Sequence, residues 1–175
     1  AITINCDPQG EFPGHLSEPT EENLGDLMRM TRDTGASLGI AHDGDADRCV
    51  FVSAQGKFIS GDKSLAIMAQ HILSTKNGTI VTPVSSSTMV EEVVVNAGGR
   101  LVYTAVGSPV VARKMMDIGA AFGGEENGGL IFPEMQFCRD GAMTVAKMLE
   151  CIVKNDTNLS ALADKLPVYH TEKRK

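Results

Sequence analysis

The sequence predicts an α/β protein built from three-layer α/β/α sandwich units with mixed, largely parallel sheets. Two patterns carry that reading. From residue 79 onward a β-branched apolar run, a small-residue loop and a helical period recur, at 79–84 then 89–97 and at 101–104 then 110–118. Strands alternating with helices mark βαβ units and a parallel sheet. Ahead of them, Leu38-Gly39-Ile40-Ala41 and Val50-Phe51-Val52 flank a short polar loop and read as a strand and a returning strand. With 175 residues, 42% of them hydrophobic, the chain can bury the core of one ordinary domain or one and a half smaller ones.

In order along the chain, Ile2 and Ile4 alternate with polar neighbours as a strand does, and Pro8, Gly10, Pro13 and Gly14 make a long turn after them. Thr20 before Glu21 and Glu22 predicts a helix start, with an N-cap hydroxyl and acids at the positive end of the helix dipole. Leu24, Leu27 and Met28 form that helix's apolar face, and Gly35 ends it. The returning strand turns at Gln55-Gly56. A helix over 62–74 places Leu65, Met68, Ala69 and Ile72 on one face and closes at Asn77-Gly78. After the two strand–helix pairs, 120–122 is a short strand running into a glycine-rich stretch, 130–132 is strand-like again, and 140–155 is a long helix with Val145, Met148, Leu149 and Ile152 as its stripe. A boundary near 56–61 separates an incomplete first unit from a complete second one. Lys173-Arg174-Lys175 reads as a solvated end.

Composition excludes several classes. A formal net charge of -6 gives no basic surface for nucleic acid or an anionic membrane. No apolar run approaches the roughly 20 residues that span a bilayer, and the first residues lack the basic region of a secretion signal, so a cytoplasmic protein is expected. Cys6, Cys49, Cys138 and Cys151 are scattered, without a C-x-x-C pair or His at ligand spacing, and are expected to be buried free thiols.

The chemistry concentrates in three places. In Asp43-Gly44-Asp45-Ala46-Asp47-Arg48, carboxylates at every second position would repel one another unless a cation is bound. Hard oxygen ligands suit Mg²⁺, and Arg48 beside it has the planar fork that holds a phosphate. A calcium EF-hand is excluded, because Arg48 stands where that loop needs glycine and Ala54 where it needs a bidentate Glu. In Gly123-Gly124-Glu125-Glu126-Asn127-Gly128-Gly129, glycines such as Gly124 admit a ligand close to the backbone, while Glu125 and Asn127 can read vicinal hydroxyls. Such a run equally suits a plain strand-end turn. In Thr104-Ala105-Val106-Gly107-Ser108-Pro109, backbone N–H groups after Gly107 could meet an anion at a helix start, or simply begin a helix. Ser85-Ser86-Ser87-Thr88 has no base partner and reads as a helix cap.

Taken together, Glu18-Pro19-x-x-Glu22-Asn23-Leu24, Asp43-Gly44-Asp45-Ala46-Asp47-Arg48, Thr104-x-Val106-Gly107, Gly124-Glu125-Glu126-Asn127-Gly128-Gly129 and Arg139-Asp140-Gly141 resemble the α-D-phosphohexomutase family across nearly the whole chain. The resemblance implies a four-domain phosphoglucomutase or phosphomannomutase, with a phosphoserine in the first domain, Mg²⁺ in the second, the sugar loop in the third and a phosphate anchor in the fourth. Residues 1–56 then match the later part of domain two, 57–166 domain three, and 167–175 the start of a linker, with domains one and four missing. It implies Asp43, Asp45 and Asp47 as Mg²⁺ ligands, Arg48 as catalytic, and Glu125, Asn127, Gly107 and Gly124 as binding a hexose phosphate. That substrate would pass between 1- and 6-phosphate through a phosphoserine enzyme and a bisphosphorylated sugar. The Thr-Ala-Ser-His-Asn-Pro type of serine loop is absent, so the chain alone is expected to be inactive and, with an exposed sheet edge, prone to self-association. Gly129 stands where many relatives have His, Ala105 where many have Lys, and Asn127 where Ser is commoner, which leaves the general acid/base and the sugar preference unassigned.

Two other readings compete. The run from Leu38 to Asp45 also resembles a haloacid-dehalogenase-type phosphatase, a strand leading to a nucleophilic Asp with an acid two residues on, although Ala46-Asp47-Arg48 replaces its usual Gly-Thr. The third reading is a non-catalytic metal- and sugar-binding module.

Overall fold

The computed structural model describes residues 1–7 and 9–169; Pro8 and the basic end Lys173-Arg174-Lys175 lie outside the described residues. Helix α2 (Gly61–Leu73) organises the layers. Its sequence predicts one apolar face, yet Ser64, Ala66, Ile67 and His71 are buried along with Leu65, Met68 and Ala69, and Ile72 is only half-buried. A helix buried nearly all round lies between two layers, and here both layers are sheets.

On one side is an antiparallel sheet, β1 (Leu38–His42), β2 (Cys49–Ser53) and β3 (Phe58–Ile59), in that order. Every residue of β2 is buried. Period-2 alternation sends Cys49 and Phe51 into the core shared with Leu65 and Met68. Val52 on the opposite face lies near Leu27 and Thr31 of helix α1 (Gly25–Asp33), at the closely packed Gly39. On the far side of α2 is β5-β4-β6-β7: β4 (Thr79–Pro83) runs parallel to β5 (Arg100–Thr104) and β6 (Phe122–Gly124), and β7 (Leu130–Ile131) returns antiparallel. Ile80 faces α2 and α3 (Thr88–Asn96), whereas Val81 faces Val111 and Met115 of α4 (Ser108–Ile118). The second sheet is therefore the parallel centre of an α/β/α sandwich, and α5 (Gly141–Lys154) adds Met148 and Cys151 to the core on the α2 side.

Some local expectations change. Ile2 and Ile4 form no strand, because no partner ladder lies alongside them, and Ile2 is 64% exposed. Thr20 makes no side-chain cap. The chain from Glu18 is drawn into a tight turn by Thr20 N and Asn23 Nδ2, both donating to Glu18 O, so residues 21–23 form a 3₁₀ turn and the α-helix starts at Gly25. The strand expected at 120–122 is shifted to Phe122–Gly124, and β3 and α6 (Leu159–Asp164) were not anticipated. All four thiols are free; Cys49 and Cys151 are buried, but Cys6 and Cys138 are exposed. No helix among the described residues is long and apolar enough to cross a membrane.

Phe51 joins the two sheets through one core, so Phe51→Ala is expected to destabilise the chain by about 3–5 kcal/mol while leaving a single urea transition; separate transitions would mean separate cores. Burial holds the His71 imidazole below its usual 6.5, with Glu150 opposing and Lys154 and Lys147 adding to the shift. Its proton is bound more weakly in the folded state, so its contribution to stability is complete above 6.5 and is lost as pH falls through the lower folded value. The urea midpoint of His71→Gln should therefore fall less than that of the parent chain between about pH 7.5 and about pH 5.5.

Candidate functional site

The parallel register sets where the site lies. Thr82 pairs with Tyr103 and Pro83 with Thr104, while Val81 pairs with Gly123, so the loops after β4, β5 and β6 leave the same carboxyl edge of the sheet, the edge at which open α/β sheets bind ligands. Thr82 Oγ1 donates to Gly124 O at 2.9 Å, and Ser85 Oγ to Glu126 Oε2 at 3.0 Å, tying two of these loops together. Ser87 caps α3, accepting from Met89 N at 3.3 Å, as its sequence suggests.

The acidic loop sits between β1 and β2. One oxygen each of Asp43, Asp45 and Asp47 lie within 4.8 Å of one another; Asp43 is buried, Asp47 half-buried and Asp45 exposed. Ala46 has φ 58, a left-handed residue that lets the loop double back. Arg48 closes the loop from behind, with its N donating to Asp43 Oδ1 at 3.1 Å, its Nε to Asp43 Oδ2 and its Nη1 to Glu18 Oε1. Burial pushes the Asp43 carboxyl up, but these bonds from Arg48 hold it below the usual carboxylate value. Arg48 is shifted the other way, up: burial favours the neutral form, and its pairing with Glu18 and Asp43 outweighs that. Asp47 Oδ1 is buried and has no hydrogen-bond partner. Its charge is met only by a long ion pair, 3.9 Å to Arg48 Nε, and three carboxylates with oxygens this close together are a ligand set for a hard divalent cation, so the residues fit Mg²⁺.

The glycine-rich loop meets the acidic loop through backbone. Cys49 N, at the first residue of β2, donates to Gly128 O at 3.1 Å. Gly128 has φ +93, and a Cβ there would lie 2.6 Å from Cys49 O; a Cβ on Gly61 would lie 2.1 Å from Glu126 O. Only glycine permits this approach. Glu125, 4% exposed, receives Arg139 Nη1 at 3.2 Å, and Asn127 Oδ1 accepts from Gly129 N at 3.1 Å. Gly124, at the end of β6, is packed against Leu130. Gly107, φ +126, is the N-cap of α4 at the same sheet edge, and among the described residues no hydrogen bond or ion pair joins it to the acidic loop.

The sequence assigned no role to Arg139, which connects the two loops: its Nη2 donates to Asp47 Oδ2 at 2.5 Å while Nη1 reaches Glu125. Glu18 is the other participant given no role, although both residues stand in stretches that carry the family resemblance. The available signal was position, since Arg139 precedes Asp140, whose Oδ1 caps α5 by accepting from Met143 N at 2.8 Å. A cleft of about 950 Å³ between the N-terminal segment, α1 and β1 reaches Asp43 and Gly44 but not the glycine-rich loop, so the surface between the two loops, not that cleft, is the candidate site. Both oxygens of Asp43 are engaged by Arg48, and β1 is an edge strand of an antiparallel sheet. Neither feature suits the nucleophilic Asp of the phosphatase reading.

Comparison with known proteins agrees with this geometry. Residues 60–169 match the model of phosphoglucomutase/phosphomannomutase, alpha/beta/alpha domain III, and residues 1–56 that of domain II. A phosphoglucomutase/phosphomannomutase of Thermococcus kodakarensis is 41% identical over 99% of this chain and 38% of its own length. A probable phosphoglucosamine mutase of Methanopyrus kandleri is 44% identical over 96% of this chain and 37% of its own. The crystal structure of a phosphoglucomutase/phosphomannomutase family protein from Burkholderia thailandensis superposes with a TM-score of 0.84 at 31% identity, over 91% of this chain and 35% of that one. The chain thus spans under two fifths of the length of these curated relatives. With both domain models matched in order and the acidic and glycine-rich loops in one constellation, the chain belongs to the phosphoglucomutase/phosphomannomutase family.

Proposed function

We propose that the chain is the metal- and sugar-binding middle of a phosphohexomutase, an intramolecular phosphotransferase that moves a phosphoryl group between O1 and O6 of a hexose phosphate. The observation that carries this reading is the approach of the acidic loop and the Glu125 loop, joined by Arg139 at 2.5 and 3.2 Å. Names of the relatives span glucose, mannose and glucosamine phosphates, which supports a hexose 1- or 6-phosphate as the substrate class. Residues 1–56 and 57–166 form the two units of the proposal, and a phosphoserine donor is supplied by a part of the enzyme outside this chain.

Asp43, Asp45 and Asp47 hold the Mg²⁺ of this proposal. When bound, the ion neutralises charge that develops on the transferring phosphoryl group. Arg48, already oriented by Asp43 and Glu18, directs its remaining N–H capacity at a phosphate oxygen; its rigid fork makes it a positioning cation whose charge is never given up. Glu125 accepts from a sugar hydroxyl. Asn127 spends its amide oxygen on Gly129 N, so Nδ2 is left to donate to a sugar oxygen. Gly124 keeps the loop's backbone close, and Gly107 offers the amides of a helix start to the distal phosphate. Because phosphoryl transfer depends mostly on positioning and charge stabilisation, these roles account for what this segment contributes.

Calorimetry with Mg²⁺ tests the metal assignment. Asp45 is exposed, so Asp45→Asn should leave the fold intact and weaken Mg²⁺ binding at least about tenfold, about 1.4 kcal/mol; equal affinity in both chains would sink it. Glu125→Gln keeps the shape and an acceptor oxygen for Arg139. In the complete enzyme it should lower kcat/KM for glucose 1-phosphate by about 1–3 kcal/mol with an unchanged urea midpoint. Unaltered kinetics on every hexose phosphate would remove Glu125 from the site.

A further inference from the structure

Arg139 is held in place more firmly than an incidental surface cation. Its backbone forms an antiparallel bridge with Ile131 beside β7, and Asp140 N donates to Leu130 O at 3.0 Å. The next residue caps α5, so both flanks are fixed. Its aliphatic stem lies over Gly129, where a Cβ would stand 2.2 Å from Arg139 Cδ. Beyond that stem the guanidinium forks, one nitrogen to Asp47 and the other to Glu125, residues in loops that leave different sheets. Its Nε is buried without a hydrogen-bond partner. Burying an unpaired donor costs free energy, which the two ion pairs offset.

We propose that Arg139 is a positioning residue that makes the geometry of the sugar loop depend on occupancy of the acidic loop, a role that rests on the metal reading above. Asp47 divides its charge between Arg139 on Oδ2 and an Oδ1 that accepts no hydrogen bond and makes only a long ion pair, 3.9 Å from Arg48 Nε, within the cluster Asp47 forms with Asp43 and Asp45. A divalent cation taken up by the three carboxylates draws on that same charge and competes with the guanidinium. Arg139 then bears more fully on Glu125, its other partner, and the Glu125–Gly129 turn responds. Gly129 is glycine because any side chain there would displace the stem that aims the fork.

The test follows backbone amide resonances of the 175-residue chain during titration with Mg²⁺. In the parent chain, the amides of Asp45 and Asp47 and those of Glu125 and Gly129 should shift together along one saturation curve. In Arg139→Met the acidic-loop amides should still respond while the shift at Glu125 and Gly129 is lost. Arg139→Lys keeps a cation but reaches only one carboxylate, so it should retain the parent's urea midpoint and still lose the sugar-loop response, a result that a purely structural brace would not give. Gly129→Ala leaves the charge in place but displaces the stem, and it too should uncouple the loops. A sugar-loop shift of undiminished size in Arg139→Met and Arg139→Lys would overturn the proposal, because the backbone bond from Cys49 N to Gly128 O would then carry the response. Absence of any Mg²⁺ response at Asp45 and Asp47 in the parent chain would instead overturn the metal reading, and the coupling with it.

Discussion

Like charge held at close range is the constraint around which the site is arranged. Three carboxylate oxygens within 4.8 Å of one another repel unless counter-charge is close, and Asp43 adds the penalty of burial. The chain meets this with two guanidinium groups in different positions. Arg48 lies behind the loop, pairs with Asp43 and Glu18, and belongs to the loop itself; Arg139 comes from 92 residues further on and takes Asp47 from the other side. Counting Glu18 and Glu125, five carboxylates face two guanidiniums. The remaining negative charge suits a divalent cation, and Asp47 Oδ1, which accepts no hydrogen bond and lies 3.9 Å from Arg48 Nε, shows where the protein's own hydrogen bonding stops.

Bringing those groups together depends on how closely two backbones can approach. The acidic loop belongs to one sheet and the glycine-rich loop to the other, with α2 between the sheets. Gly61 at the start of α2 lies under Glu126 and Gly128, Gly128 touches the Cys49 carbonyl, and a Cβ on Gly141 at the start of α5 would lie 2.4 Å from Ala46 O. Each contact is backbone against backbone, which a flexible side chain could not relieve. These glycines therefore fix the distance between the acidic loop and the glycine-rich loop, while the core beneath fixes the orientation of the elements that carry them.

Much of this was legible in the sequence because it is local. The strand–helix rhythm after residue 79 is a period that single residues write, and Asp43 to Arg48 is a six-residue pattern whose clustered carboxylates call for counter-charge wherever the loop sits. What the sequence does not write is which surface each element meets. The stripe Leu65, Met68, Ala69 gives one face of α2, but the burial of Ser64, Ala66 and Ile67 arises only because a second sheet lies behind the helix. The two-residue β3 is held by its pairing with β2, which propensity over two residues cannot signal. Ile2 and Ile4 alternate correctly and still form no strand, since alternation without a partner makes no ladder. The role of Arg139 stayed unread for the same reason: it stands in a stretch that carries the family resemblance, but its partners are 14 and 92 residues away and nothing local says what it pairs with.

Sequence distance also separates the stability of the fold from that of the site. Phe51, Leu65, Phe122 and Met148 share one core, so the two sheets and α2 cohere without help from any charged residue. The site adds polar bonds across the top of that core, several of them partly exposed and individually of modest worth. Under the proposed metal role, uptake of a cation would redistribute charge among Asp47, Arg139 and Glu125 without disturbing the packing that carries them. A cation that binds only the assembled loops stabilises the assembled form by mass action, in proportion to its occupancy. A rigid apolar base lies beneath a labile ionic surface: the base keeps the groups in register even where their pairings change.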